Sequence, residues 1–190
     1  MIRLISISVI CLLLWTSVVV AVSEGIINIT VTHNNNELLV SALYKYGFTP
    51  EIKEELIKGI SREFFYYIVL HRVISNWLDE EKTSMTIKYN VKYDTLKNQF
   101  LVIKSSGDSK EEYVFDSYDE MVAWVSKIDM VKFTPLGTLG GNHKYYVSIK
   151  AEIKAGELPF LLRYLLFFIP YSKFSTEWAH SNEFMLKDFK

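Results

Sequence analysis

A chain of 190 residues with 49% hydrophobic and 15% aromatic content holds enough apolar material for one packed domain, which excludes a disordered chain. Its 21 Lys and Arg against 22 Asp and Glu leave a net charge of -1, so no global field draws it to phosphate, and no nucleic-acid partner is expected.

The first segment sets the compartment. MIRLISISVICLLLWTSVVVAVSEG opens with Arg3, continues as an uncharged apolar stretch from Leu4 to Val20, and ends in small residues. That is the pattern of a secretory signal, with cleavage after Ala21 or Ser23. Residues 4–20 also approach the roughly 17 residues that can span a bilayer. Residues 1–23 therefore read as a signal peptide or a signal anchor, giving a soluble exported chain in the first case and a membrane-anchored one in the second. Cys11 lies inside this stretch and is the only cysteine. A cleaved chain would have no thiol, which excludes disulfides and thiolate sites.

Downstream, Ile26 to Thr32 and Glu37 to Tyr46 are rich in β-branched and aromatic residues and flank a turn composition, His33 to Asn36; the pattern predicts a hairpin. Thr49-Pro50-Glu51 predicts a helix start, with Thr49 as cap and Pro50 at the first helical position. Gly59 marks its end, and Ile52, Leu56 and Ile57 are expected to face a core. From Arg62 to Ser75 both parities are apolar, which predicts a central strand covered on both faces. Met85 to Tyr93 alternates strictly and resumes after a turn as Gln99 to Lys104, the clearest hairpin of the chain. Glu111 to Phe115 reads as a short strand. Ser117 to Glu120 is a capping box opening a helix, with Tyr118, Met121, Val122, Val125 and Ile128 as its apolar stripe. Val131 to Thr134 and His143 to Lys154 alternate again across Gly137, Gly140 and Gly141. The sum is an α+β fold, mainly an antiparallel β sheet or sandwich of about seven to nine strands with two or three short helices packed on it. It forms one domain over residues 24–190.

Residues 158–171, LPFLLRYLLFFIPY, form a second apolar run. As a helix it would cover about 21 Å against a hydrocarbon core of roughly 30 Å, and Arg163 sits near its middle, so it does not read as a crossing segment. A helix would place Leu158, Leu161, Leu162, Leu165 and Ile169 on one face and Phe160, Arg163, Tyr164 and Phe167 on the other; a buried strand is the other reading. Phe160, Arg163, Tyr164 and Phe167, with Trp178 beyond them, are the candidate contacts for a partner or a membrane surface. Trp77, Trp124 and Trp178 are expected as core anchors, an exposed one marking a binding face.

Reactive constellations are sparse. His33, His71, His143 and His180 are scattered without i, i+4 pairing, and His71 reads as a core histidine held by a hydrogen bond; no metal or cofactor is expected. Gly137 to Asn142 is followed by a strand, with no Lys-Ser/Thr, so it reads as a turn and not a phosphate loop. The acidic pairs at Asp79 to Glu81, Glu111-Glu112 and Asp119-Glu120 are adjacent in turns or at a helix start, where charge is solvated. Lys82, Lys88, Lys92, Lys97 and Lys104 give the central hairpin a basic face, read as solvent-facing. No catalytic residues are assigned.

Taken in order, HRVISNWLDEE, IKYNVKYDTLKNQFLV, FDSYDEMVAWVSKI, YYVSIKAEIKAGELPFLLRYLLFFI and FSTEW resemble a bacterial family of exported proteins known as domain of unknown function 4390 (DUF4390), over about residues 28–184. The resemblance implies a protein of the bacterial periplasm or cell envelope, anchored to the inner membrane if the signal is kept. It brings no activity or catalytic residues. It favours another envelope protein as partner, a membrane sensor in particular, through an association with two-component sensor genes. The expected function is a non-catalytic protein-binding or signalling accessory module. The alternative is a module that binds lipid or a small hydrophobic ligand in a sheet cavity lined by Phe64 to Val69 and the tail; an enzyme is least expected.

Overall fold

Alternating runs of β-branched and aromatic residues fit a pleated, half-buried surface, and they dominate the fold. The computed structural model describes residues 25–156 and 174–189. The apolar N-terminal segment 1–23 and the run 158–171 lie outside these residues. In chain order the elements are β1 (Gly25–His33), β2 (Glu37–Lys45), α1 (Pro50–Ile57), β3 (Arg62–Arg72), β4 (Glu80–Asp94), β5 (Gln99–Ser106), β6 (Ser109–Phe115), α2 (Tyr118–Val125), β7 (Lys127–Pro135), β8 (Tyr145–Ala155), β9 (Phe174–Ser175) and β10 (Ala179–His180). Single 3-10 turns occupy Leu136–Thr138 and Leu186–Asp188. Among the described residues no helix is long and apolar enough to cross a membrane.

Two antiparallel sheets result. The smaller has the order β1-β2-β7, and the larger β10-β8-β3-β4-β5-β6, with β9 also paired to β8. This is the mainly antiparallel α+β fold expected from sequence: among the described residues, eight strands of seven residues or more, two further strands of two residues, and two short α-helices. Strand β3 lies at the centre, with Arg62 opposite Val91 and Ala155 at one end and Arg72 opposite Glu80 and Tyr145 at the other. The sheets enclose one apolar core. Leu38, Val40 and Ala42 of β2 and Ile128 and Phe133 of β7 meet Phe64, Tyr66, Ile68 and Leu70 of β3, flanked by Ile87 and Tyr89 of β4 and Val147 and Ile149 of β8. Helix α1 adds Ile52 and Leu56 to this core, and α2 adds Met121 and Val125.

Local chemistry sets the boundaries. The Asn34 side-chain oxygen accepts from the Glu37 amide at 2.9 Å and the Asn36 amide at 3.3 Å, closing the first hairpin. The Glu120 amide donates to Ser117 Oγ at 3.2 Å, the half of the capping box that nucleates α2. Thr49 occupies the N-cap of α1 without a side-chain capping bond, because its hydroxyl serves the Glu51 carboxylate instead. That contact, first, and the Glu51 backbone hold this carboxyl below its ordinary value. Ile57 is exposed rather than core, since α1 ends there and turns away through Gly59 at φ +85°. Ile128 belongs to β7 and not to the stripe of α2; it reaches the same core from a strand. The glycine-bearing segment is a turn as expected, pinned by the Gly140 amide donating to the Tyr145 hydroxyl at 2.9 Å.

Candidate functional site

Strand β3 departs from expectation on one face. Arg62, Phe64, Tyr66, Ile68 and Leu70 are buried, but Phe65, Tyr67 and His71 are only half-buried. Both parities are apolar because the outward residues are aromatic rings shared with charged cross-strand neighbours, which a hydropathy pattern cannot tell from core. The register assembles this outer face row by row. Phe65 lies between Lys88 and Glu152, Tyr67 between Thr86 and Lys150, Val69 between Ser84 and Ser148, and His71 between Glu81 and Tyr146.

At one end the Phe65 and Tyr67 rings lie parallel, 6.2 Å apart at 7°. Lys154 Nζ sits 4.3 Å and Lys88 Nζ 5.4 Å from the Phe65 centroid, within cation–π range. Both ammoniums also hold carboxylates: Lys88 pairs with Glu63 at 2.6 Å and Lys154 with Glu152 at 2.9 Å. The Tyr67 hydroxyl donates to Glu152 Oε2 at 3.1 Å. This bonding to Glu152, above all, raises the Lys154 ammonium above its ordinary value, against a smaller loss from burial. The five lysines of the hairpin do not share a face: Lys88 stands beside Phe65, whereas Lys104 is opposite Tyr89, whose ring is in the core. The outer face carries Glu63, Glu81 and Glu152 against Lys88, Lys150 and Lys154, and so no net cationic field.

At the other end the rings become polar. His71 stacks on Tyr146 at 4.8 Å and 14°, and Tyr146 meets His180 edge-on at 5.6 Å. His71 is therefore a surface residue of the sheet and not a core histidine. Burial lowers its pKa and His180 adds to that, while Glu81 and Asp79 oppose it. His180 Nδ1 lies 2.9 Å from Ser148 Oγ, but Ser148 is only 2% exposed, so the pair braces β10 against β8 and offers no accessible nucleophile. No group of three or more metal-ligating side chains occurs among the described residues.

Two open hollows of about 350 and 380 Å³ run along this face, sharing Val69, Glu81 and Trp178. Trp178, between β9 and β10, forms their wall; it is 42% exposed, with Lys150 Nζ 6.0 Å from its ring. Of the candidate contacts read from sequence, Trp178 is thus placed on the aromatic face, while Phe160, Arg163, Tyr164 and Phe167 lie outside the described residues. Among the described tryptophans Trp124 alone behaves as an anchor, its ring centroid 4.3 Å from that of Tyr113 and 5.4 Å from that of Tyr89. Trp77 is exposed on the β3–β4 turn, where no periodicity reports its position.

No curated protein and no solved structure matches the chain significantly. A family model does, over residues 24–182, which takes in both sheets, both helices and the aromatic face. The chain belongs to the family described as Domain of unknown function (DUF4390).

Proposed function

We propose that this domain is an exported, non-catalytic module of the bacterial envelope that binds another protein, as a signalling accessory, through the outer face of its larger sheet. The observation that supports this reading most is the row of half-exposed rings at the centre of that sheet, Phe65, Tyr67, His71 and Tyr146, with Trp178 beside it. Aromatic residues with satisfied polar neighbours are the composition of protein interfaces, whereas a solvent face is normally polar. A buried ligand cavity has less support, because the space between the sheets is filled by Phe64, Tyr66, Ile68 and Tyr145.

The test has two arms. A fusion of the full chain to alkaline phosphatase reports export by activity, and the photo-crosslinker p-benzoylphenylalanine replaces Trp178 on the face or Thr30 on β1 in producing cells. Activity of the fusion, with a discrete adduct to one envelope protein from position 178 and none from position 30, is the expected result. An inactive fusion, or adducts indistinguishable between the two positions, counts against the reading.

A further inference from the structure

The turn that joins β3 to β4 carries an apolar tip. Residues 73–78 (VISNWL) hold no charge between Arg72 and Asp79, and Trp77 and Leu78 stand 79% and 83% exposed. The turn that displays them is braced. The Ile74 amide donates to Asp79 Oδ1 at 3.1 Å, the Trp77 amide to the Ile74 carbonyl at 3.3 Å, and the Tyr146 hydroxyl to Asp79 Oδ2 at 3.0 Å. Asn76 takes the left-handed φ of 61° at the reversal, a conformation asparagine tolerates. The pair is therefore held out on an ordered turn, which reduces the entropy lost when it docks.

Charge around the tip decides what it meets. Arg72 pairs with Glu80, Lys82 with Glu80 at 3.2 Å, and Lys144 with Glu183 at 2.9 Å. The Val73 amide on the Lys144 carbonyl places that last pair at the same end. Arg72, Lys82 and Lys144 thus face Asp79, Glu80, Glu81 and Glu183, an excess of one negative charge. Anionic headgroups gain nothing from such a collar.

Position argues the same way. The described residues that flank both apolar runs lie at the other end of the sandwich: Gly25 opposite Lys45, Gly156 with its amide on Ser61, and Phe174 opposite Ile153. Phe48, just past β2, stacks on Phe64 at 4.5 Å, which sets the end of the smaller sheet beside Arg62. The 11 residues of β3 separate that end from the tip by about 35 Å.

We propose that Trp77 and Leu78 are the anchor of the protein contact, inserted into an apolar pocket with a basic rim on the partner. This rests on the protein-binding reading and names the chemistry of the partner's site. Tryptophan is enriched among the residues that dominate interface energy, and Asp79 and Glu81 beside the pair select a cationic rim.

The experiment uses the full chain in producing bacteria, with p-benzoylphenylalanine at Ser75 beside the tip, at Trp178, and at Leu96 on the far end. One adduct of the same mass from positions 75 and 178, none from 96, and a crosslinked partner peptide that is apolar with Lys or Arg beside it are expected. Leu78→Asp should weaken the position-178 adduct about thirtyfold, the scale of losing a hot-spot residue, without changing the unfolding midpoint. A position-178 adduct that survives Leu78→Asp, with none from position 75, overturns the tip as anchor and leaves the sheet-face reading standing. Absence of adducts from both positions overturns the two together. Purified full chain with vesicles of phosphatidylethanolamine and phosphatidylglycerol supplies the last arm: a blue shift in emission that Trp77→Phe removes, without a protein adduct, makes the occupant lipid and overturns the proposal.

Discussion

Tyr66 and Tyr89 show how single residues tie this sandwich together. Tyr66 is fully buried on β3 and donates its hydroxyl to the Val125 carbonyl of α2 at 2.9 Å, while its ring meets Tyr44 and Tyr89 edge-on. Burial, with Tyr89 adding to it, pushes the Tyr66 phenol well above its ordinary value; burial first, then Tyr113 and Glu111, pushes Tyr89 up to about 12. A folded-state pKa raised above the unfolded value of 10.0 stabilises the fold fully below that pH, and the contribution is lost as pH rises through the folded value. Unfolding free energy from urea titrations should therefore be insensitive to these phenols up to about pH 10 and fall between about 10 and 12, with a shallower fall in Tyr89→Phe. Ionisation of every tyrosine at its ordinary value in a still-folded chain, read by phenolate absorbance, would sink this account. Residue roles of this kind are poorly legible in sequence. Nothing in REFFYYIVLH distinguishes Tyr66, which closes the core, from Tyr67, which lies on the outer face, until the register is known.

At the scale of elements, legibility follows the strength of the local rule. The β4–β5 hairpin and the capping box at Ser117 are set by neighbours in sequence, and both were readable from it. Strands β9 and β10 were not, because they have two residues each and are flanked by hydroxyl bonds to β8. The Ala151 amide donates to Thr176 Oγ1 at 3.0 Å and the Val147 amide to Ser181 Oγ at 2.9 Å, positions where a regular strand would offer a carbonyl. Backbone bonds return at the same two places, from the Thr176 amide to the Ala151 carbonyl and from the Ser181 amide to the Val147 carbonyl. This edge of the sheet is thus sealed by two side chains, and by the seal Trp178 is held over Val69. Thr176→Val keeps the shape and removes the acceptor, leaving the Ala151 amide unpaired at a cost of about 1–3 kcal/mol. Amide hydrogen exchange should accelerate at Ala151 and stay slow at Val147, with Ser181→Ala giving the reverse pattern. Equal acceleration at both amides in either variant would mean that the edge opens as a unit and that the hydroxyls do not act separately.

The whole molecule is polar from end to end. Arg62, Gly25 and Gly156 mark one pole, where Tyr46, Ile57, Leu96 and Phe174 are all exposed; the β3–β4 turn with Trp77 and Leu78 marks the other. Spacing in the sequence does not announce the first pole, because Gly25, Arg62, Gly156 and Phe174 come together through strand register. On the envelope reading proposed above, the exposed apolar side chains of this pole would rest near a bilayer with β3 directed away from it. If residues 4–20 are kept as an anchor, the orientation is measurable. In a Cys11→Ser background, single cysteines at Leu96, Ile57 and Trp77 carry a fluorophore, and the full chain is reconstituted in vesicles containing spin-labelled lipid. Quenching should be strongest at positions 96 and 57 and absent at 77, because about 35 Å of strand exceeds the reach of a headgroup-level quencher. Equal quenching at 77 would lay the sandwich flat on the membrane and withdraw the tip from a partner in solution, and failure of the chain to remain with the vesicles would show that no lipid-facing pole exists.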